Sequence, residues 1–143
     1  MSRIIVKNLN TKKLKKDFTQ TEYDNQSKGK YIAVDFDDTI TLHRPYPEKA
    51  PLNPDAKKYL TLLHEAGYKL VLWTARCGDA YEEAWDRCIN EFELPLIKDN
   101  ESLIHGDSGK LVASFYIDDK NYIDGKINWK KIYTYLMKRL ANE

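Results

Sequence analysis

Three carboxylates fall within four positions in Asp35-Phe36-Asp37-Asp38-Thr39, directly after the apolar run Tyr31-Ile32-Ala33-Val34. Acids this close repel one another and add nothing to a core, so something positive must offset them. A hard cation with oxygen ligands is the usual answer. The plainer alternative is an Asp-rich turn, because Asp tolerates turns and left-handed geometry. A second acidic pair, Asp118-Asp119, follows the run Ser114-Phe115-Tyr116-Ile117. Between the two clusters, Thr74-Ala75-Arg76 ends the run Lys69-Leu70-Val71-Leu72-Trp73, and Lys110 stands eight residues before Asp118. A hydroxyl and a guanidinium at a strand's end suit a phosphate, which Arg grips with two bonds. Together these residues read as a metal-plus-phosphate site.

Such a site needs a scaffold that brings four separated segments to one edge. Tyr31 to Val34 is short and nearly all apolar, as a strand covered on both faces should be. A helix is expected over Asn53 to Ala66, with Asn53 as N-cap, Pro54 in the first position and Gly67 just past the end. Its apolar positions Ala56, Tyr59, Leu60, Leu63 and Ala66 recur at helical spacing. Lys69 to Trp73 reads as a second buried strand. Asp79 is expected to open another helix, with Glu82 completing a capping box; its inner face is Ala84, Trp85, Cys88, Ile89 and Phe92. Leu94 to Ile97 reads as a short third strand and Ser114 to Ile117 as a fourth. A last helix covers Asn128 to Leu140, with Trp129, Ile132, Tyr133, Leu136 and Leu140 inward. Strands alternating with helices predict an α/β fold, a parallel sheet with helices on both faces. In such sheets ligands bind beyond the carboxyl ends of the strands, where these polar residues lie.

The 143 residues suit one core of ordinary size. Residues 1–30 differ in composition: they hold eight Lys or Arg against three acids, leaving the remainder net acidic although the whole chain carries only +1. Ile4, Ile5 and Val6 suggest a short strand, and the polar stretch from Asn10 to Lys30 shows weak periodicity. Residues 1–30 are read as an accessory arm and 31–143 as the catalytic domain. The Lys12-Lys13-Leu14-Lys15-Lys16 run reads as a solvated helix face. Cys77 and Cys88 lack metal-ligand or redox spacing and read as free thiols of a reducing cytoplasm, Cys88 being a core residue first. No apolar run is long enough for a membrane helix, and no apolar segment follows the basic N-terminus as in a secretory signal. The expected location is cytoplasmic.

The ordered set Asp35-x-Asp37-x-Thr39, Thr74, Lys110 and Asp118-Asp119 resembles the four motifs of the haloacid dehalogenase-like hydrolases. The resemblance covers about residues 30–140. The run from Lys110 to Asp119, with Leu72-Trp73-Thr74-Ala75-Arg76 before it, is similar to a subgroup of small, uncharacterised members. It implies a Rossmann-like three-layer sandwich and a Mg²⁺-dependent phosphatase acting through an aspartyl-phosphate. Asp35 would then be the nucleophile, and Asp37 would protonate the leaving oxygen and activate water, a role that calls for a raised pKa. Mg²⁺ would be held by Asp35, the backbone carbonyl of Asp37, Asp118 and waters, with Asp119 in support. Thr74 and Lys110 would bind the transferring phosphoryl oxygens. Thr39, Arg76 and Arg44 complete the expected substrate contacts. Asp38 stands where many members of that superfamily have Gly.

Two rival readings use the same residues. A two-component receiver domain also combines carboxylates, Mg²⁺, Thr and Lys. Its order, however, places a lone phospho-acceptor Asp before Thr, and Lys last. A non-catalytic phosphate- or nucleic-acid-binding protein on the same fold is the second rival, and the complete motif set argues against it. The gaps Thr39 to Thr74 and Thr74 to Lys110 hold no separate domain, so no cap domain is expected and the site should be open. The first expectation for a substrate is a small phosphorylated compound, with the Leu42-His43-Arg44-Pro45-Tyr46-Pro47 loop at the entrance. His105 is expected to be solvent-exposed. Nucleic acid has no support beyond the basic arm, whose only aromatics are Phe18 and Tyr23. Nothing in the sequence sets an oligomeric state.

Overall fold

The structure is a computed structural model and describes residues 5–6, 18–44 and 48–142. In chain order the elements are β1 (Ile5–Val6), β2 (Phe18–Thr19), α1 (Gln20–Ser27), β3 (Tyr31–Val34), α2 (Pro54–Glu65) and β4 (Lys69–Leu72). Then follow α3 (Gly78–Asp86), which runs on into a π-helical turn at Arg87–Glu91, then β5 (Leu96–Lys98), β6 (Phe115–Ile117) and α4 (Trp129–Ala141). The main sheet has the order β5-β4-β3-β6, with every pair parallel. The expected Rossmann-like α/β architecture is present, and no cap domain is inserted among the described residues.

Helices cover the sheet unequally. Side chains alternate between faces along a strand, and Ile32, Val34, Leu70, Leu72, Leu96 and Ile117 share one face. Against it pack Ala56, Leu60 and Leu63 of α2, Ala84, Cys88 and Phe92 of α3 and its π turn, and Trp129, Ile132 and Leu136 of α4. Leu60, Leu63 and Leu136 are completely buried, each contributing roughly 1.5–3 kcal/mol in transfer terms. The Tyr68 hydroxyl donates to the Leu136 carbonyl (2.7 Å), tying the α2–β4 turn to α4. The opposite face, with Ala33 and Val71, is covered by the irregular segment that includes Leu103 and Leu111. α1 packs behind that segment.

That packing draws residues 18–30 into the domain. Phe18 is buried with Ile104. The Gln26 amide donates to the carbonyls of Ile104 and Val112 (both 2.8 Å), and its oxygen accepts from the Ile104 N–H (3.0 Å). α1 starts with a reciprocal capping box: the Thr19 hydroxyl accepts from the Glu22 N–H, and the Glu22 carboxylate from the Thr19 N–H. Ile5 and Val6 pair antiparallel with Thr19 and Phe18. The basic run Lys12 to Lys16 lies outside the described residues.

α2 follows the expectation closely. Asn53 caps it by accepting from the Asp55 N–H, and Gly67 takes a φ of +107° past its end. α3 does not. Its N-cap is Cys77, with no side-chain cap bond: Gly78 at φ +57° turns the chain into the helix two residues before the expected cap at Asp79. Asp79 therefore sits inside the first turn. Glu82 does not cap; its carboxylate takes both oxygens to Lys98 Nζ at 2.8 Å. No described helix is long and apolar enough to cross a membrane.

Candidate functional site

The strand register builds the centre of the site. Val34 pairs with both Leu72 and Ile117, so one residue further on Asp35 stands abreast of Asp118 on one side and the Trp73–Thr74 end of β4 on the other. The Asp35 N–H donates to the Ile117 carbonyl (2.9 Å) and the Trp73 N–H to the Val34 carbonyl (2.8 Å), extending both pairings past the strand ends. After Asp35 the chain coils tightly: the Phe36 carbonyl accepts from the N–H groups of Thr39, Ile40 and Thr41. Asp38 turns this corner at φ +60°, a left-handed conformation that Asp tolerates better than most residues. The position at which Asp departs from the resembled family's Gly is thus one that needs positive φ.

The coil swings Thr39 back under the carboxylates. Its hydroxyl donates to Asp35 Oδ2 (3.1 Å), lies 3.3 Å from Asp119 Oδ1, and accepts from the Asp119 N–H (3.0 Å). Thr39, expected among the substrate contacts, is completely buried. It braces the two acid clusters against each other. Carboxylate oxygens of Asp35, Asp118 and Asp119 all lie within 4.8 Å of one another. Burial first, and then the neighbouring Asp118 charge, push the Asp35 carboxyl from its ordinary value to about 7. Three converging acids, one held this high, make an anionic focus that a cation would relieve. Octahedral coordination at 2.0–2.1 Å places ligand oxygens roughly 3–4 Å apart, so this donor set fits a small hard cation with little movement. Asp118 is itself oriented by accepting from the Lys120 N–H (3.0 Å).

The other expected residues are distributed around this focus. Arg76 closes both prongs on Asp37, Nε to Oδ2 and Nη2 to Oδ1, each at 2.8 Å, and its guanidinium lies 4.9 Å from the Phe36 ring centroid. Its remaining prong reaches the Ala80 carbonyl (3.3 Å). Arg76 is therefore a partner of Asp37, not a free phosphate anchor. Thr74 accepts the Arg76 N–H on its hydroxyl oxygen (3.2 Å), which leaves its own proton to donate. Arg44 is exposed and donates to the His43 carbonyl (2.8 Å), while His43 pairs with Asp38 (3.1 Å). Arg44, Lys49, Arg76 and Arg87 line a cleft of about 570 Å³ beside Asp37. A second cleft of about 440 Å³, with Asn53 and Lys126 on its walls, lies on the Asp119 side of the same turn. Pro45, Tyr46 and Pro47 of the expected entrance loop are outside the described residues.

Among the described residues, no carboxylate pairs with Lys110. Its ammonium lies 4.3 Å from the Tyr116 ring centroid and 5.6 Å from that of Trp73, and these two rings meet edge-on at 5.1 Å. Residue type alone does not mark these two aromatics; their even spacing from Asp118 and Val71 is the signal the sequence carries. His105, expected to be exposed, is only 14% exposed in its side chain and bonds Asp99 through Nε2 at 2.7 Å. Asp99 in turn donates its N–H to the Tyr81 hydroxyl (3.1 Å). A polar loop can bury a histidine when a neighbouring acid accepts its proton, and composition alone does not show that.

No family model and no curated protein matches the chain. A solved structure from Bacteroides thetaiotaomicron, described as a conserved protein, is similar: it shares 32% sequence identity and a TM-score of 0.62, over 76% of this chain and 90% of that one. The chain belongs to that protein's family. The Bacteroides relative brings a fold and no activity, so any function rests on the residues at the strand ends.

Proposed function

We propose that this chain is a phosphomonoester hydrolase that uses a divalent cation, Mg²⁺ by the hardness of the ligands, and Asp35 as nucleophile. One observation carries the reading: Asp35, Asp118 and Asp119 converge within 4.8 Å beyond the carboxyl ends of adjacent parallel strands. The resemblance of the ordered motifs to the haloacid dehalogenase-like hydrolases supports it.

Asp35, Asp118 and Asp119 would hold the ion, which when bound would screen the carboxylates from an anionic ester and offset charge developing on the phosphoryl group. In the first step an Asp35 oxygen attacks phosphorus and forms an acyl phosphate as the ester P–O bond breaks. Asp37 gives the leaving oxygen its proton. In the second step water attacks the same phosphorus, Asp37 takes the water's proton, and the Asp35 oxygen leaves with release of inorganic phosphate. Both Asp37 oxygens accept from Arg76 in this structure, so protonating Asp37 requires Arg76 to let go of one of them. The cleft beside Asp37 is where the leaving alcohol would sit. Thr74 donates its hydroxyl to the phosphoryl group, and Lys110 neutralises it.

The test is release of phosphate from p-nitrophenyl phosphate and a panel of sugar phosphates and nucleotides, each with Mg²⁺ and with EDTA. Metal-dependent turnover lost in Asp35→Asn supports the reading. Absence of turnover on every ester, in folded protein shown to bind Mg²⁺, sinks it in favour of a non-catalytic phosphate binder.

A further inference from the structure

We propose that Tyr116 is the positioning residue for Lys110, with Trp73 as the second wall of its seat. The proposal rests on the phosphatase reading for what Lys110 does, but not for where Lys110 is held.

Strand alternation sets the geometry. Ala33, Val71, Trp73 and Tyr116 share the sheet face away from the three long helices. Asp35 lies two residues beyond Ala33 and Asp118 two beyond Tyr116, so both continue that face past the strand ends. Two residues along a strand span about 6.7 Å, within reach of a lysine side chain. Of the two rings that seat the Lys110 ammonium, Tyr116 thus lies one such step back from Asp118 and Trp73 stands level with Asp35, on the carboxylates' own side of the sheet. Ala33, completely buried and paired with both Val71 and Tyr116, leaves room for the two rings to meet above the central strand.

Tyr116 also fixes the backbone that carries Lys110. Its hydroxyl donates to the Leu111 carbonyl and accepts from the Ala113 N–H (3.0 Å), clamping the chain immediately after Lys110. On the other side, the Gly106 N–H donates to the Lys110 carbonyl (2.8 Å), and His105 bridges to Leu111. One residue therefore supplies a π face to the cation and two hydrogen bonds to the main chain that follows it, at Leu111 and Ala113. A ring face attracts an ammonium at this distance without neutralising it. The charge stays available to an anion, whereas a carboxylate partner would compete with substrate. That separates Lys110 from Lys98, which Glu82 already holds.

Two measurements on the full chain decide it. The first is labelling of lysines by acetic anhydride, read residue by residue in a mass spectrometer. Tyr116→Leu and Trp73→Leu should raise Lys110 labelling about two- to fivefold, the scale of one lost cation–π contact, with Lys69 and Lys130 unchanged as internal controls. Tyr116→Phe, which keeps the ring and is the safer variant for folding, should raise it less. Unchanged Lys110 labelling in folded Tyr116→Leu overturns the seat. The second is a double-mutant cycle on p-nitrophenyl phosphate turnover. Tyr116→Leu should lower kcat about tenfold or more with a smaller change in KM, and should change kcat less than about twofold when Lys110 is already Gln. Equal losses in the two backgrounds overturn the positioning role. If wild-type protein shows no Asp35-dependent turnover, the phosphatase reading falls, and labelling alone decides whether the seat exists.

Discussion

Arg76 holds both carboxylate oxygens of Asp37 at 2.8 Å. A residue expected to contact substrate is held here by a neighbouring acid, and anchoring substrate and setting that acid's geometry differ in kinetics. Loss of a substrate anchor raises KM, whereas loss of a group that sets Asp37's geometry lowers kcat. Arg76→Gln should lower kcat by about tenfold with KM changed less than about twofold. The Asp37 side chain is half exposed, so the pair adds little to stability, and the thermal midpoint should barely move. A variant with normal kcat and a raised KM would return Arg76 to the phosphate.

Asp35 links the site to stability. Its carboxyl is lifted from 3.8 in an unfolded chain to about 7 here, so the folded state holds this proton more tightly. Folding is then favoured by protonated Asp35 at low pH, and that contribution is lost as pH rises from about 4 to about 7. In EDTA, the urea midpoint of wild type should fall across that window relative to Asp35→Asn, which cannot ionise. Above pH 7 Asp35→Asn should be the more stable protein, and Mg²⁺ should raise the midpoint of wild type alone. Parallel midpoints for the two proteins at every pH would show that Asp35 carries no such strain.

Much of this was legible because it obeys short-range rules. Asn53, Pro54 and Gly67 mark the ends of α2 by local chemistry, and the apolar runs announce the strands. Asp35 and Asp118 could be placed at one edge because parallel strands put their carboxyl ends together. What escaped depends on contacts between distant segments. Thr19 and Glu22 form a true capping box that the polar composition of the arm obscured, while Asp79 and Glu82 fit the same pattern and do not cap. The difference lies in Gly78, which enters the helix early, and in Lys98, which competes for Glu82. The burial of Thr39 and of His105, and the seat of Lys110, likewise depend on partners that spacing does not reveal.

Asp38 is the corner of the coil that returns Thr39 to the carboxylates, and its φ of +60° sets what can replace it. Asp38→Gly should fold at least as stably as wild type, because glycine adopts this conformation freely. Asp38→Ala should be less stable than Asp38→Gly by about 1 kcal/mol, the usual cost of a β-carbon in the left-handed region without a polar side chain to offset it. Urea titrations of the two variants make the comparison directly. Equal midpoints would mean that the corner relaxes out of positive φ.

Gln26 decides whether the segment from Phe18 onward belongs to the body of the α/β domain. It is buried, and its amide satisfies three backbone groups in the Ile104–Val112 segment. Removing it leaves those groups unpaired away from water, and one such buried group costs about 1–3 kcal/mol. Gln26→Ala should therefore cost about 2–4 kcal/mol once lost packing is added. The same loss should loosen the segment from which Lys110 projects. Hydrogen exchange should then quicken at Ile104 and Val112, whose N–H groups are bonded to Gln26 and Ile104, while β3 and β4 stay protected. An unchanged urea midpoint, with exchange at Ile104 as slow as in wild type, would make α1 a passive attachment and restore the division at residue 30.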